Sequence, residues 1–237
     1  MAIRSGVLAA SFLTVTVLFG SACVTAGTQT ANIAPAPANH VTNEITVTGT
    51  SDAVWDRLVA QLSRGFYVIN NIDKASRLIN VSFYSDTPAE YLDCGTTTRT
   101  YTRGNEHEEY RYQVAESSDF KMGEQRGSAI ITYDIHRATK LEGRANIYVA
   151  PKDSVTTVMV NARYILTVDV TGIYQVESLI GIKGEMGRMN PSMFTISFNT
   201  NQPNSTNVGG AGNPPSYVTC YSRGTLERQI IEFAQHN

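Results

Sequence analysis

Residues 155–170, VTTVMVNARYILTVDV, decide the fold class of this chain, because apolar and polar side chains alternate along nearly the whole stretch. A period of two places successive side chains on opposite faces of a β-strand. One face of this predicted strand is apolar and the other is polar, as in an antiparallel sheet that has one face in water. The apolar positions are Val158, Val160, Ala162, Tyr164, Leu166, Val168 and Val170.

Other stretches in the second half of the chain show the same alternation. Residues 128–136 (SAIITYDIH) and 143–149 (GRANIYV) are separated by only six residues, so we expect them to pair as a hairpin. Residues 193–198 (MFTISF) and 216–222 (SYVTCYS) predict two further strands. The polar stretch 95–127 lies before them and predicts mainly exposed loop, apart from a short exposed strand at Arg99–Tyr101.

Two stretches have helical periodicity instead. Residues 52–64 and 225–235 each carry an apolar stripe, and Gly65 is a natural end for the first helix. Because a sheet with one wet face needs its other face covered, these helices are the candidates to cover it. We therefore predict an α+β fold in which an antiparallel β-sheet packs against one or two helices, as in helix-grip domains.

This fold is expected to be one domain over residues 41–237, with possible sub-lobes at residues 41–94 and 128–237. The alternative is two β-α-β-β-like lobes that share a disulfide. Its core is predicted from the apolar faces of the strands and helices. The predicted core residues are Trp55, Leu58, Leu62, Val68, Val81, Phe83, Ile131, Tyr133, Ile147, Val160, Tyr164, Leu166, Phe194, Ile196, Ile230 and Phe233.

A helix followed by two strands forms the predicted unit at the start of the domain. The helix carries VWDRL at residues 54–58. The stretch GFYV at residues 65–68 leads into the first strand (66–71), a turn follows at residues 73–77, and LINVSF opens the second strand (78–84). In this order the unit resembles the repeating unit of BamC-type lipoproteins of the outer-membrane barrel-assembly machinery, over about residues 50–90. The resemblance implies a helix-grip fold and an outer-membrane address rather than an activity.

The first 23 residues have the pattern of a secretory signal peptide. Arg4 precedes an apolar stretch of about 15 residues, which is shorter than the length of about 20 residues that a membrane-spanning helix needs. The tract LFGSAC, which ends at Cys23, resembles a bacterial lipobox, although Gly20 stands where Leu is usual. We therefore predict a signal peptide at residues 1–22 and lipidation of Cys23, with cleavage after Ala26 as the alternative.

The residues that follow predict a flexible tether and an outer-membrane location. Residues 23–40 are small, polar and rich in Ala and Pro, without any period, as in a linker. Val24 rather than Asp follows the cysteine, and by analogy with enterobacterial sorting this favours the outer membrane. The domain would then face the periplasm, held to the membrane by its lipid anchor.

The cysteine count predicts one disulfide. If Cys23 carries lipid, Cys94 and Cys220 are the two that remain in an oxidising compartment, and we expect them to pair. Two free or buried thiols are the alternative. No metal site is predicted, because the cysteines lie far apart and the four histidines have no ligand spacing.

No motif predicts catalysis, cofactor binding or nucleic-acid binding. The net charge is −2 and no cluster of Lys and Arg appears. The acidic run at residues 106–109 is interpreted as a solvated loop, and the glycine-rich stretch 181–191 lacks the ending of a phosphate-binding loop. His136 has Asp134 as a potential partner but is interpreted as structural, and no GxSxG nucleophile motif occurs.

These features predict a non-catalytic envelope lipoprotein that binds other envelope proteins, as a scaffold or as a component of an assembly or secretion apparatus. The alternative is a binding module that holds a lipid or another apolar small molecule between sheet and helix, as helix-grip folds can do. A large apolar cavity beside the C-terminal helix would favour the second hypothesis, and a packed core would favour the first.

Overall fold

The computed structural model describes residues 25–208 and 216–235, and strands make up 62% of them against 14% for helices. The predicted α+β helix-grip fold is therefore wrong, because the protein is mostly β. Its strands are β1 Thr28–Ala34, β2 Glu44–Thr48, β3 Val68–Asp73, β4 Leu78–Ser85, β5 Leu92–Asp93, β6 Thr96–Arg103, β7 Glu106–Gln113, β8 Ser118–Arg126, β9 Ala129–Lys152, β10 Val155–Ser178, β11 Lys183–Arg188, β12 Ser192–Asn199, β13 Asn204–Asn207 and β14 Tyr217–Ser222. The helices are α1 Ser51–Arg64, α2 Thr225–Gln235 and a short 3-10 turn at Pro88–Glu90.

One long hairpin organises the fold. Strands β9 and β10 have 24 residues each and pair in continuous antiparallel register, joined only by Asp153 and Ser154. The hairpin predicted from residues 128–136 and 143–149 is therefore wrong, because both stretches belong to β9. The polar residues between them continue the alternation: Arg137 and Thr139 are buried and bond to backbone carbonyl oxygens of the segment between β7 and β8.

Each strand of this hairpin takes several partners along its length. Strand β9 pairs with β4 through residues 141–148 and with β8 through residues 129–137. Strand β10 pairs with β2, β12 and β11 in succession. The result is an eight-stranded sheet with two halves. We call the half around residues 141–163 the helical half, and the half around residues 129–137 and 170–178 the all-β half.

Both helices pack on the inner face of the helical half. Thr50 caps α1, and α1 buries Val54, Trp55, Leu58 and Leu62. Helix α2 buries Leu226, Ile230 and Ala234, with Tyr164 of β10 fully buried beneath it. Of the predicted core residues, Trp55, Leu58, Leu62, Val81, Phe83, Ile147, Val160, Tyr164, Leu166, Ile196 and Ile230 are buried, Ile131, Tyr133, Phe194 and Phe233 are half-buried, and Val68 is exposed.

The all-β half corrects two predictions. Residues 95–127 form strands β6, β7 and β8 rather than loop, and part of the predicted tether at residues 23–40 is strand β1, paired with β6. The β1–β6–β7 sheet packs over β8: the Tyr112 and Phe120 rings stack with centroids 6.1 Å apart, and the Arg99 guanidinium lies 4.3 Å from the centre of the Phe120 ring.

Two glycine-containing stretches also contain strands. The glycine-rich stretch 181–191 holds β11, which pairs with the end of β10. The stretch 199–215 holds β13, which pairs with β14, and its residues 209–215 lie outside the described part of the chain.

Candidate functional site

The two predicted disulfide partners lie together. Cys94 follows β5, Cys220 lies in β14, and the structure places their sulfur atoms at bonding distance with the Cα atoms 4.1 Å apart. Both cysteines are buried beside the core of the helical half. The predicted pairing is confirmed to this extent. Cys23 and the predicted signal peptide lie outside the described residues.

A groove on the outer face of the helical half is the best candidate for a binding site. We call it the outer groove. It has a volume of about 470 Å³ and lies on the face of β4, β9 and β10 that points away from the helices. It is lined by Phe66, Val68, Ser82, Phe83, Tyr84, Glu142, Gly143, Arg144, Arg163 and Ile165.

Two arginines face each other in this groove. Arg144 of β9 and Arg163 of β10 are direct cross-strand partners, and both are exposed. Within residues 25–208 and 216–235, neither guanidinium makes a hydrogen bond or an ion pair. Like charges directly opposite each other destabilise a sheet, so this pair contributes unfavourably to the free energy of folding.

Exposed apolar side chains flank the arginines. Phe66, which follows the end of α1, is 104% exposed, and Val68 and Tyr84 are 62% and 54% exposed. Val68 was predicted to be in the core, but β3 is an edge strand that turns this side chain to the outside. The groove thus combines two arginines and the Glu142 carboxylate with aromatic and aliphatic surface.

A second cavity, of about 610 Å³, opens on the all-β half. Its lining includes Asp119, Lys121, Asp134, His136 and Arg188. The His136 Nδ1 atom lies 2.6 Å from a carboxylate oxygen of Asp119, not of Asp134 as the sequence indicated. Within the described residues, no serine or cysteine side chain hydrogen-bonds to this imidazole.

The acidic run at residues 106–109 belongs to β7 and is not a solvated loop. The ammonium group of Lys121 on β8 forms ion pairs with Glu106 and Glu108, and Glu108 also accepts a hydrogen bond from Tyr110. The hydrogen bond from Lys121, followed by that from Tyr110, lowers the pKa of Glu108. These contacts join β7 to β8, so the cluster has a structural role.

A carboxylate lies fully buried at the start of α2, which the sequence analysis missed. Glu227 accepts hydrogen bonds from Thr200 (2.7 Å), Tyr164 (2.8 Å) and Ser222 (3.1 Å). Burial raises the pKa of Tyr164 well above its ordinary value. These hydrogen bonds satisfy the buried carboxylate and join α2 to the sheet.

Within residues 25–208 and 216–235, no group of three or more His, Cys, Asp and Glu side chains is arranged to hold a metal ion. Among the same residues, neither helix has the length and apolar character required to span a membrane.

Comparison with known proteins found no match: no protein-family model fits the chain, and no curated protein and no solved structure is similar to it. The resemblance of residues 50–90 to BamC-type lipoproteins therefore stays a prediction.

Proposed function

We propose that the protein is a non-catalytic lipoprotein of the bacterial cell envelope. In this proposal, lipids on Cys23 hold it at the outer membrane, its domain faces the periplasm, and it binds another envelope protein through the outer groove. The proposal that the outer groove binds another protein rests on the Arg144–Arg163 pair.

The fold of the first described residues supports cleavage before Cys23 rather than after Ala26. Ala26 is buried, and the backbone carbonyl of Thr25 accepts a hydrogen bond of 2.9 Å from Arg103. Cleavage after Ala26 would remove both contacts from the mature protein. Cleavage before Cys23 keeps them and leaves a cysteine available for lipid.

The composition of the outer groove supports a protein partner. Arginine and aromatic residues are enriched where proteins bind each other, and they contribute most of the binding energy. Phe66, Tyr84, Arg144 and Arg163 together form such a set around one depression. An unpaired like-charge pair is unfavourable in the free protein, so an anionic group that binds between the two arginines removes that repulsion.

The partner is therefore expected to present a carboxylate beside an apolar side chain. The carboxylate would bind between Arg144 and Arg163, where guanidinium groups can donate two parallel hydrogen bonds. The apolar side chain would cover Phe66 and Val68, which are otherwise surrounded by water.

The alternative function, an apolar ligand held between sheet and helix, required a large apolar cavity beside α2, and the packing beneath α2 does not support it. The side chains of Leu226, Ile230 and Ala234 on α2 are 0% exposed and belong to the same packed core as Tyr164. A ligand between α2 and the sheet would have to displace these side chains at a large cost in packing.

Site-specific photo-crosslinking in the producing bacterium tests the binding proposal. A photoreactive phenylalanine analogue at Phe66 should yield one major protein adduct. The adduct should be lost when Arg144→Glu and Arg163→Glu are combined in the same chain, because both contacts to the anionic group then become repulsive. The same analogue at Tyr217, which is 70% exposed on β14, is the matched control and should not yield this adduct.

Two results would contradict the proposal. An adduct that survives the double charge reversal, or that also forms from Tyr217, would show that the outer groove is not the specific contact. Mass spectrometry of the mature N-terminal peptide tests the anchor separately: a lipid-modified Cys23 is expected, and an unmodified start at Gly27 would refute it.

A further inference from the structure

The hairpin between β10 and β11 presents apolar side chains to water at the far end of the all-β half. Ile180 is 74% exposed and Ile182 is 63% exposed, and Met186 on β11 is 66% exposed. No charged residue lies between Ser178 and Lys183. The end of the hairpin is therefore an apolar projection, not a groove.

The backbone holds these side chains outward. The Gly181 amide donates a hydrogen bond of 2.9 Å to the carbonyl of Ser178, and the Ile182 amide donates one of 3.1 Å to the Ser178 hydroxyl. Gly181 has φ +84°, a conformation that side-chain-bearing residues rarely adopt. The turn is thus well defined, with Ile180 at its tip.

Arg103 joins this hairpin to the start of the described chain. Its guanidinium donates a hydrogen bond of 2.9 Å to the carbonyl of Thr25 and forms an ion pair with Glu177, the residue before Ser178. In the sequence, Cys23 precedes Thr25 by two positions, with only Val24 between them. Thr25, the first described residue, therefore lies at the same end of the fold as the apolar hairpin.

We propose that the β10–β11 hairpin enters the interfacial region of the bilayer that holds the lipid chains of Cys23. The inference rests on the proposed lipidation of Cys23. Ile180 and Ile182 would lie among the acyl chains, and the protein would contact the membrane at two points.

Lys183 beside the hairpin fits a bilayer surface, whereas Glu185 on β11 accepts a hydrogen bond from Tyr174. Lys183 directly follows the apolar tip, is exposed, and makes no ion pair or hydrogen bond with its side chain within residues 25–208 and 216–235. A lysine at the boundary of an apolar insertion can place its ammonium group among anionic headgroups while its methylene chain stays in the apolar region. A lipid surface is favoured over a protein partner because the described chain starts at this end of the fold with Thr25, two positions after the proposed lipid attachment site.

A second contact would fix the orientation of the domain. An acyl anchor by itself leaves the protein free to rotate about its attachment, whereas an inserted hairpin fixes the direction of β10. Ser178 lies fifteen positions after Arg163 in β10, which corresponds to about 50 Å along the strand. The outer groove would then face partners well away from the membrane surface.

Quenching of tryptophan fluorescence by brominated lipids tests the inference. The full-length lipidated protein with Ile180→Trp is reconstituted into vesicles of phosphatidylcholine and phosphatidylglycerol with brominated acyl chains. Its emission should shift to shorter wavelength and lose intensity relative to vesicles without bromine. Trp55, the single native tryptophan, is buried in the core of the helical half and gives a constant background.

Tyr148→Trp is the matched control, because Tyr148 is exposed on β9 about 60 Å along the hairpin from Ser178. It should show no quenching. Equal, unquenched emission from both variants with lipid present on Cys23 would overturn the inference and leave the anchor standing. A blue shift without quenching would mean that a protein or a second copy covers the hairpin, and would also overturn it. Quenching without lipid on Cys23 would support the hairpin contact while refuting the anchor.

Discussion

The phenolic hydroxyl of Tyr164 donates a hydrogen bond of 2.8 Å to the carboxylate of Glu227, and both side chains are 0% exposed. This bond joins the middle of the longest strand pair to the first turn of α2. A buried carboxylate is costly unless each oxygen is hydrogen-bonded, and here three hydroxyl groups donate to it. The position of α2 on the sheet therefore depends on a polar cluster as well as on apolar packing.

Glu227→Ala is expected to lower the free energy of unfolding by about 2–4 kcal/mol, because it leaves three buried hydroxyl groups without their acceptor. Glu232→Ala, at an exposed position of the same helix, is the matched control and should change stability by less than about 0.5 kcal/mol. Chemical denaturation of both variants measures this. Equal effects would mean that the cluster contributes nothing beyond helix propensity.

Replacing Cys94 and Cys220 together by serine is expected to destabilise the protein by up to about 4–5 kcal/mol. The bridge spans a sequence separation of 126 residues, and closing a long loop removes much conformational entropy from the unfolded chain. A reducing agent should destabilise the native protein and leave the double variant unchanged. Insensitivity of the native protein to reductant would indicate two free thiols.

Tyr110 is expected to titrate with a pKa of about 12, because burial and then its hydrogen bond to Glu108 disfavour the phenolate. The folded pKa lies above the unfolded value of about 10. Its contribution to stability is therefore complete below pH 10 and is lost as the pH rises through 12. NMR of ring-labelled tyrosine, with Tyr110→Phe to assign the resonance, measures the titration. A midpoint near 10 would contradict the burial of this hydroxyl.

Arg163→Glu is expected to stabilise the protein by about 0.2–1 kcal/mol, because it converts a cross-strand repulsion with Arg144 into an attraction. The same change should abolish the crosslink from Phe66. Higher stability combined with lost binding is typical of residues retained for function. Arg163→Gln, which removes the repulsion without adding attraction, should stabilise less, and a destabilised Arg163→Glu variant would argue against the electrostatic explanation.

The parts of the fold with strong apolar periodicity could be predicted from the sequence. The helix expected at residues 52–64 is α1, and the alternation of residues 155–170 lies within β10. Strands β6 and β7 could not be recognised by hydropathy, because they bury Thr97, Tyr101 and Tyr112 rather than aliphatic residues. Their sequence signals are the β-favouring threonines at residues 96–102, where a short strand is expected at Arg99–Tyr101, and the tyrosines at positions 110 and 112.

The outer groove could not be predicted, because it depends on strand register. Tyr84, Arg144 and Arg163 are far apart in the sequence and meet only because β4, β9 and β10 pair at those positions. The fold class was wrong for a related reason. The polar residues 137–142 indicated a turn, but Arg137 and Thr139 bond to carbonyl oxygens and let one strand continue through them.

The long hairpin also has a consequence for the order of folding. Only Asp153 and Ser154 close it, so the entropy lost in joining its strands is small, and a hairpin forms within microseconds. Strand β2, by contrast, pairs with residues 155–159, which are far from it in the sequence, so this pairing must close a long loop. We expect the hairpin to be the nucleus onto which the remaining strands add, so that substitutions at Val158 slow folding while those in β1 mainly speed unfolding. Equal φ-values at the two sites would show that the sheet forms without this template.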